Sequence, residues 1–268
     1  MHASSTGLHA APSSHDELWS RITASPRRLL ILDYDGTLAR FHADPACALP
    51  SRRVRDALRI LAARHDPLVI ISGRPVAELL ELLHDLPLGL IGEHGWETFS
   101  RDGTHLAHEL PHSTDLRLGL AQRAAIGCGW RMQLETKRTA LVLHTRGLAS
   151  ADAESVAHYG RELWGRFFAR DGLKLDAIDG GLELRAAQRD KGLASRELLQ
   201  REPDGTLPVY IGDDITDEDA FRELRSAGVT IRVGPPEAPT AAEWRLASVD
   251  DVEEFLDRWR ALVPETIQ

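Results

Sequence analysis

The chain has 268 residues, 43% apolar and 27% charged, with a formal net charge of −9. That length suits one large domain or two small ones around a substantial core. An acidic surface argues against nonspecific nucleic-acid or anionic-membrane binding, while leaving room for a locally basic pocket.

Cys47 and Cys128 are the only cysteines. They give neither a disulfide framework nor a paired-cysteine metal pattern, so a reducing compartment is expected. Residues 1–15 lack the cationic start and apolar run of a secretory signal. They read as a flexible small-residue tail leading into a first helix near Asp16. No apolar run approaches the ~20 residues of a membrane helix. A cytoplasmic protein, with no membrane and no nucleic-acid partner, is expected.

The first strong signal is LLILD, residues 29–33, a continuous apolar run that reads as a strand buried on both faces. It ends in Asp33-Tyr34-Asp35-Gly36-Thr37, two carboxylates one residue apart before a glycine. They could cap the next element, bind a metal or do chemistry. Ser51 can cap a helix carrying Val54, Ala57, Leu58 and Leu61 at helical spacing. Residues 67–72 (PLVIIS) form a second buried strand, broken by Gly73-Arg74-Pro75. A helix at 76–83 and a short strand at 88–91, ending in GEHG, follow. The order β, α, β, α, β predicts a parallel sheet with right-handed crossovers.

The middle of the chain differs. Residues 116–126 look helical, and 131–135 and 139–144 look like paired strands around a turn at Lys137. A helix at 151–168 precedes a hairpin of 173–178 and 182–185 across Asp179-Gly180-Gly181. This predicts an inserted α/β unit with an antiparallel sheet over residues 110–185. The parallel pattern then resumes with a helix at 190–200, a strand at 208–211 (PVYI), a helix at 216–226, a strand at 229–233 and a closing helix at 250–262. The expected fold is α/β: a Rossmann-like parallel-sheet hydrolase core of residues 1–109 and 186–268 with the inserted unit as a cap.

In open parallel sheets, ligands gather at the carboxyl ends of the strands. DYDGT, SGR and GDDITDED follow predicted core strands, and Asp190-Lys191-Gly192 opens a helix. Asp33, Asp213, Asp214 and Asp217 would then share one crevice. Like charges that close raise each other's pKa or demand a cation, and Mg²⁺, a hard ion with oxygen ligands, fits best. Ser72 can donate to a phosphate oxygen and Lys191 can neutralise one, which completes the parts of a phosphoryl-transfer site. Asp33 would attack phosphorus. Asp35 would protonate the leaving alkoxide and then deprotonate water. Gly36 lets the chain turn beneath the site.

DYDGT, the serine of ISGR, the lysine of DKG and GDDITDED, in this order, resemble the haloacid dehalogenase superfamily of phosphotransferases. GDDITDEDAF, GEHGWE, ETKRTALVLHTR and LELR look like its trehalose-6-phosphate phosphatase family, over about residues 29–225. The resemblance implies Mg²⁺-dependent hydrolysis of trehalose 6-phosphate through an aspartyl-phosphate. It implies Asp33, Asp35, Ser72 and Lys191 as the catalytic set. Asp33, Asp213, the Asp35 carbonyl and Asp214 would hold the metal or its waters, and Asp217 would support them. It implies substrate contacts by Thr37, Gly73, Arg74, His94 and Gly95 in the core, and by Glu135, Lys137, Arg146 and Glu183 in the cap. The chain departs from the family pattern at Thr145, Ala186 and Gln188, none with a catalytic role.

Other readings stay open on the residues themselves. GDDITDED could be an acidic cap on the following helix, with Thr216 or Asp214 capping it. Glu135 and Lys137 could be a surface ion pair. Glu183 and Arg185, alternating with Leu182 and Leu184, are also what a half-solvated strand looks like. His105, His108 and His112 read as surface histidines rather than a zinc site, because Pro111 breaks their alignment. Trp164 and Trp259 read as packing residues. The rival substrates are sucrose phosphate, mannosyl-glycerate phosphate or a hexose phosphate. A catalytically silent regulatory partner would lack one of the catalytic groups, and all are present. A signalling receiver domain would carry its aspartate after the third strand, and an aspartyl-phosphate ion pump would need membrane helices. A monomer acting on a small sugar phosphate is expected.

Overall fold

The computed structural model describes residues 15–42, 44–64, 67–168, 172–178 and 180–262. Residues 1–14 of the expected tail, and Asp179 of the expected turn, lie outside the described residues. His15, assigned to that tail, opens the first helix.

The elements in chain order are α1 (His15–Ala24), β1 (Arg28–Leu32), α2 (Arg52–Ala63), β2 (Leu68–Ile71), α3 (Val76–Leu82), β3 (Gly89–Gly92), β4 (Glu97–Phe99), β5 (His105–Ala107), α4 (His112–Gly127), β6 (Leu134–Thr136), β7 (Ala140–His144), α5 (Ser150–Phe168), β8 (Leu173–Ile178), β9 (Gly181–Ala186), α6 (Lys191–Leu199), β10 (Leu207–Gly212), α7 (Asp217–Leu224), β11 (Val229–Val233), β12 (Trp244–Leu246) and α8 (Val249–Leu262). They form an α/β fold with an eight-stranded sheet, ordered β12-β11-β10-β1-β2-β3-β4-β5, and a four-stranded sheet, ordered β6-β7-β9-β8. The large sheet is parallel from β12 to β3, and β4 and β5 extend it antiparallel. The small sheet is antiparallel throughout.

β1 sits mid-sheet between β10 and β2, and its alternation explains its uninterrupted apolar run. Leu30 and Leu32 face a cluster with Trp19 of α1, Leu58 of α2 and Trp259 of α8. Leu29 and Ile31 face the other side, against Ala194 of α6 and Phe221 of α7. Each such side chain contributes roughly 1.5–3 kcal/mol on burial, so the strand is held from both faces and its end is fixed in place.

The small sheet also alternates. Leu141, Leu143, Leu182 and Leu184 pack with Trp164 of α5 and with Leu118 of α4. The row Glu135–Val142–Glu183–Asp176, in register across all four strands, therefore lies on the opposite face.

Local signals hold at several ends. The Ser51 hydroxyl accepts from the Val54 amide at 3.2 Å, and the Asp190 carboxylate accepts from Leu193 at 2.8 Å. α4 begins four residues before the expected start, with Pro111 at its cap rather than inside it. Thr216 stands at the α7 cap but makes no side-chain capping bond. Strands β4, β5 and β12 are additions to the sequence reading, each three residues long. No helix among the described residues is long and apolar enough to cross a membrane.

Candidate active site

Asp33 follows β1, its amide continuing the ladder to the Ile211 carbonyl at 2.9 Å, and it is 4% exposed. Tyr34 points into the core, where its hydroxyl donates to the Ala48 carbonyl at 2.8 Å. The chain then doubles back, with Leu38 and Ala39 amides both donating to the Tyr34 carbonyl. Gly36 turns with φ +74°, and a Cβ there would lie 2.1 Å from an Asp213 oxygen. Only glycine lets the two carboxylate loops come this close.

Lys191, at the start of α6, donates to Asp33 Oδ1 at 2.7 Å and to Asp217 Oδ1 at 2.8 Å. Asp217 also accepts from the Tyr210 hydroxyl at 2.7 Å and from the amides of Asp213 and Asp214 at 3.0 and 2.9 Å. Four donors fill its lone pairs, so Asp217 holds the loop and the lysine together. Of the two expected caps, Thr216 makes no side-chain capping bond, while the Asp214 carboxylate accepts from the Ile215 amide at 2.6 Å and Asp217 receives the amides of Asp213 and Asp214.

The carboxylates of Asp33, Asp213 and Asp217 offer oxygens within 4.8 Å of one another. Burial, with the neighbouring carboxylates, pushes Asp33 up to about 7 and Asp213 well above the usual range, despite Lys191. Burial also raises Asp214. Burial opposes the charge of Lys191, but Asp217 and Asp33 outweigh it and hold the ammonium above its ordinary range. The cluster is short of positive charge and has only oxygen donors, which fits a hard divalent cation. With Asp217 saturated, Asp33 and Asp213 are the carboxylates suited to contact it. The Thr37 hydroxyl, fully buried, donates to Asp213 at 3.3 Å.

Arg74 grips both oxygens of Asp35 through Nε and Nη2, each at 2.7 Å, and its amide donates to the Ser72 hydroxyl at 3.1 Å. Next to it, Glu93 and His94 take φ of +46° and +56°, a backbone region that non-glycine residues rarely occupy. Amide bonds from Glu93 to the Arg74 carbonyl and from His94 to the Ser72 carbonyl pin that bend. A Cβ on Gly73 would lie 2.7 Å from the His94 ring, so glycine makes room for the imidazole.

The polar face of the small sheet closes over these loops. His94 Nε2 lies 3.0 Å from Glu183, and Lys137 donates to the Gly73 carbonyl at 3.1 Å and lies 3.5 Å from Glu183. His144 sits 2.7 Å from Glu135. Arg138 and Thr139 bind the buried Glu93 carboxylate, the latter at 3.1 Å. Arg185 binds Asp176 at 2.9 Å and crosses to Asp219 of α7 at 3.1 Å. Glu183, 3% exposed, would be raised by burial. His94, Lys137 and Arg185 outweigh that and hold it below the usual carboxylate range. Burial holds the His94 imidazole below its ordinary range, against the pull of Glu183. The ring faces Glu183 through Nε2, and its buried Nδ1 has no hydrogen-bond partner among the described residues.

One crevice is lined by Asp33, Asp35, Ser72, Gly73, Arg74, His94, Glu135, Lys137, Arg146, Glu183, Lys191 and Asp214. Thr37 and Asp217, both buried, and the partly exposed Asp213 are not among its lining residues. Gly95 is turned away: its carbonyl accepts from Arg189 at 2.6 Å, and a Cβ there would meet Ala194 at 3.1 Å. Glu183 and Arg185 are buried rather than half-solvated, because the core loops cover that face. The lining also includes Phe41, His42, Glu78, His144 and Ile178, which the sequence reading did not single out. His144 ends β7 two residues before Arg146, a spacing that could have pointed to it. His105, His108 and His112 are exposed, and Trp164 and Trp259 are buried packing residues.

A sequence model of the trehalose-phosphatase family matches residues 31–250. The chain is 34% identical to a trehalose-phosphate phosphatase of Mycobacterium marinum over 87% of its own length, and spans 61% of that protein. It is 30% identical to trehalose-6-phosphate phosphatase of Escherichia coli, covering 84% of each chain. The solved C-terminal domain of Candida albicans trehalose-6-phosphate phosphatase shares the fold, with a TM-score of 0.82 at 23% identity over 95% of this chain and 99% of that one.

Proposed function

The chain belongs to the trehalose-phosphatase family, and from that premise we propose that it hydrolyses trehalose 6-phosphate to trehalose and phosphate with Mg²⁺. The observation that carries this reading is the buried Lys191–Asp33 pair at the head of the central strand, with Asp35 two residues on. In this reading residues 110–185 are a cap over a core of residues 1–109 and 186–268, and the protein works as a cytoplasmic monomer.

Asp33 attacks phosphorus, and the C6 oxygen leaves with a proton from Asp35. Asp35 then takes a proton from the water that attacks the aspartyl-phosphate and releases Asp33. Ser72 donates to a phosphate oxygen, and Lys191 neutralises charge at the reacting group. Asp33, Asp213, the Asp35 carbonyl and Asp214 would hold Mg²⁺ or its waters, and the ion would supply charge neutralisation at the phosphate. Thr37 and Asp217 keep those carboxylates in place. Gly73, Arg74, His94, Glu135, Lys137, Arg146 and Glu183 would bind the sugar hydroxyls. Gly95 supports the His94 bend from behind.

Phosphate release from trehalose 6-phosphate, sucrose phosphate, mannosyl-glycerate phosphate and hexose phosphates, with and without Mg²⁺, tests this. Trehalose 6-phosphate should be preferred and turnover should need the metal. Preference for another substrate by orders of magnitude would overturn the substrate assignment.

A further inference from the structure

The roles above draw on polar side chains of the crevice and leave its apolar ones, Phe41, Pro45 and Ile178, unexplained; of these, Phe41 comes from the core and Ile178 from the small sheet. Phe41, in the loop that follows the Asp33 turn, is 46% exposed, although an aromatic ring gains most by full burial. Ile178 ends β8 on the face that also carries Lys174 and Asp176, where alternation otherwise places polar groups. Both line the crevice, one from the core and one from the small sheet.

Their position along the sheet is informative. Glu183 pairs with Asp176 and reaches His94, beside the reacting end. Ile178 pairs with Gly181, two residues farther along both strands, which is about 7 Å away. Arg146 comes to the same outer end: its guanidinium lies 5.4 Å from the Phe41 ring centre and against Gly180. The crevice thus has a carboxylate-rich inner part and, about 7 Å farther out, a part where Phe41 and Ile178 stand beside the single guanidinium of Arg146. A pyranose presents hydroxyls at its rim and C–H groups on its faces, so an aromatic face and a branched aliphatic suit a sugar ring.

We infer that Phe41 and Ile178 form an apolar clamp for the sugar ring that does not carry the phosphate, and so select two-ring over one-ring sugar phosphates. This rests on the phosphatase reading, and deepens it at the outer end of the same crevice.

The test compares kcat/KM for trehalose 6-phosphate and glucose 6-phosphate in wild type, Phe41→Ala, Phe41→Tyr and Ile178→Ser. The two-ring to one-ring ratio should fall about tenfold in Phe41→Ala, mainly through KM, and return in Phe41→Tyr. Ile178→Ser should lower it in the same direction. An unchanged ratio, or equal losses on both substrates, overturns the clamp. If wild type prefers a different two-ring phosphate, the trehalose assignment fails while the same ratio, measured with that substrate, still decides the clamp.

Discussion

His94 and Glu183, 89 residues apart in sequence, meet at 3.0 Å and join the loop after β3 to the central face of the small sheet. Both are buried, and the imidazole reaches its partner only because the backbone at Glu93 and His94 bends into the left-handed region. Replacing His94 by Ala should leave the Glu183 carboxylate with one donor fewer. The expected cost is about 1.5–3 kcal/mol, as for a lost hydrogen bond to a charged group. Denaturant unfolding of wild type and variant measures it, and KM for the sugar phosphate should rise in parallel.

The same pair sets a pH dependence. The His94 imidazole is held below its ordinary value of 6.5 by burial, so the unfolded chain takes up a proton that the folded chain refuses. The His94 contribution should therefore be flat above 6.5 and fall as pH drops below it, while the raised carboxyls of Asp33 and Asp213, protonated first in the folded chain, contribute the opposite slope. Glu183 is depressed from 4.5, so its contribution is present above that value and is lost on further acidification. The difference in Tm between wild type and His94→Gln, measured against pH, cancels the carboxyl contributions common to both and should show the His94 slope below 6.5.

Asp33 should behave as a residue kept at a cost to stability. Burial beside Asp213 and Asp217 disfavours its charge. Asp33→Asn removes one like charge, so Tm in metal-free buffer should hold or rise while turnover falls by at least a thousandfold, roughly. Lys191→Met should do the opposite to stability. It strands two buried carboxylates, at a cost of about 3–5 kcal/mol.

Arg74 holds Asp35 by two bonds of 2.7 Å, which fixes the carboxylate that would protonate the leaving oxygen. Arg74→Ala should slow hydrolysis of a sugar phosphate by roughly a hundredfold. An aryl phosphate, whose leaving group needs no proton, should suffer much less. Parallel assays of both substrates separate this from general damage to the site.

The parallel core was legible because β1, β2 and β10 are buried on both faces and so carry continuous apolar runs. The site was legible because its groups sit where those runs stop. β4, β5 and β12 were not, since three-residue strands at a sheet margin leave no periodic signal. Residue type alone does not tell Asp217 from Asp213 and Asp214; the family resemblance implied a supporting place for it, and the fold gives the physical reason, since its oxygens are already taken by Lys191, Tyr210 and two amides. The alternation at Glu183 and Arg185 looked half-solvated because the surface covering it comes from Gly73, His94 and Asp219, distant in the chain. Phe41 and Ile178 share a crevice by the same long-range closure.

Asp33 should be the group phosphorylated during turnover. Quenching the enzyme during turnover of trehalose 6-phosphate with Mg²⁺, reducing with borohydride and mapping the peptides tests it directly, since an acyl phosphate is reduced and a free carboxylate is not. Homoserine at position 33, absent without substrate, is the predicted result. Homoserine at another aspartate, or full activity in Asp33→Asn, would contradict it.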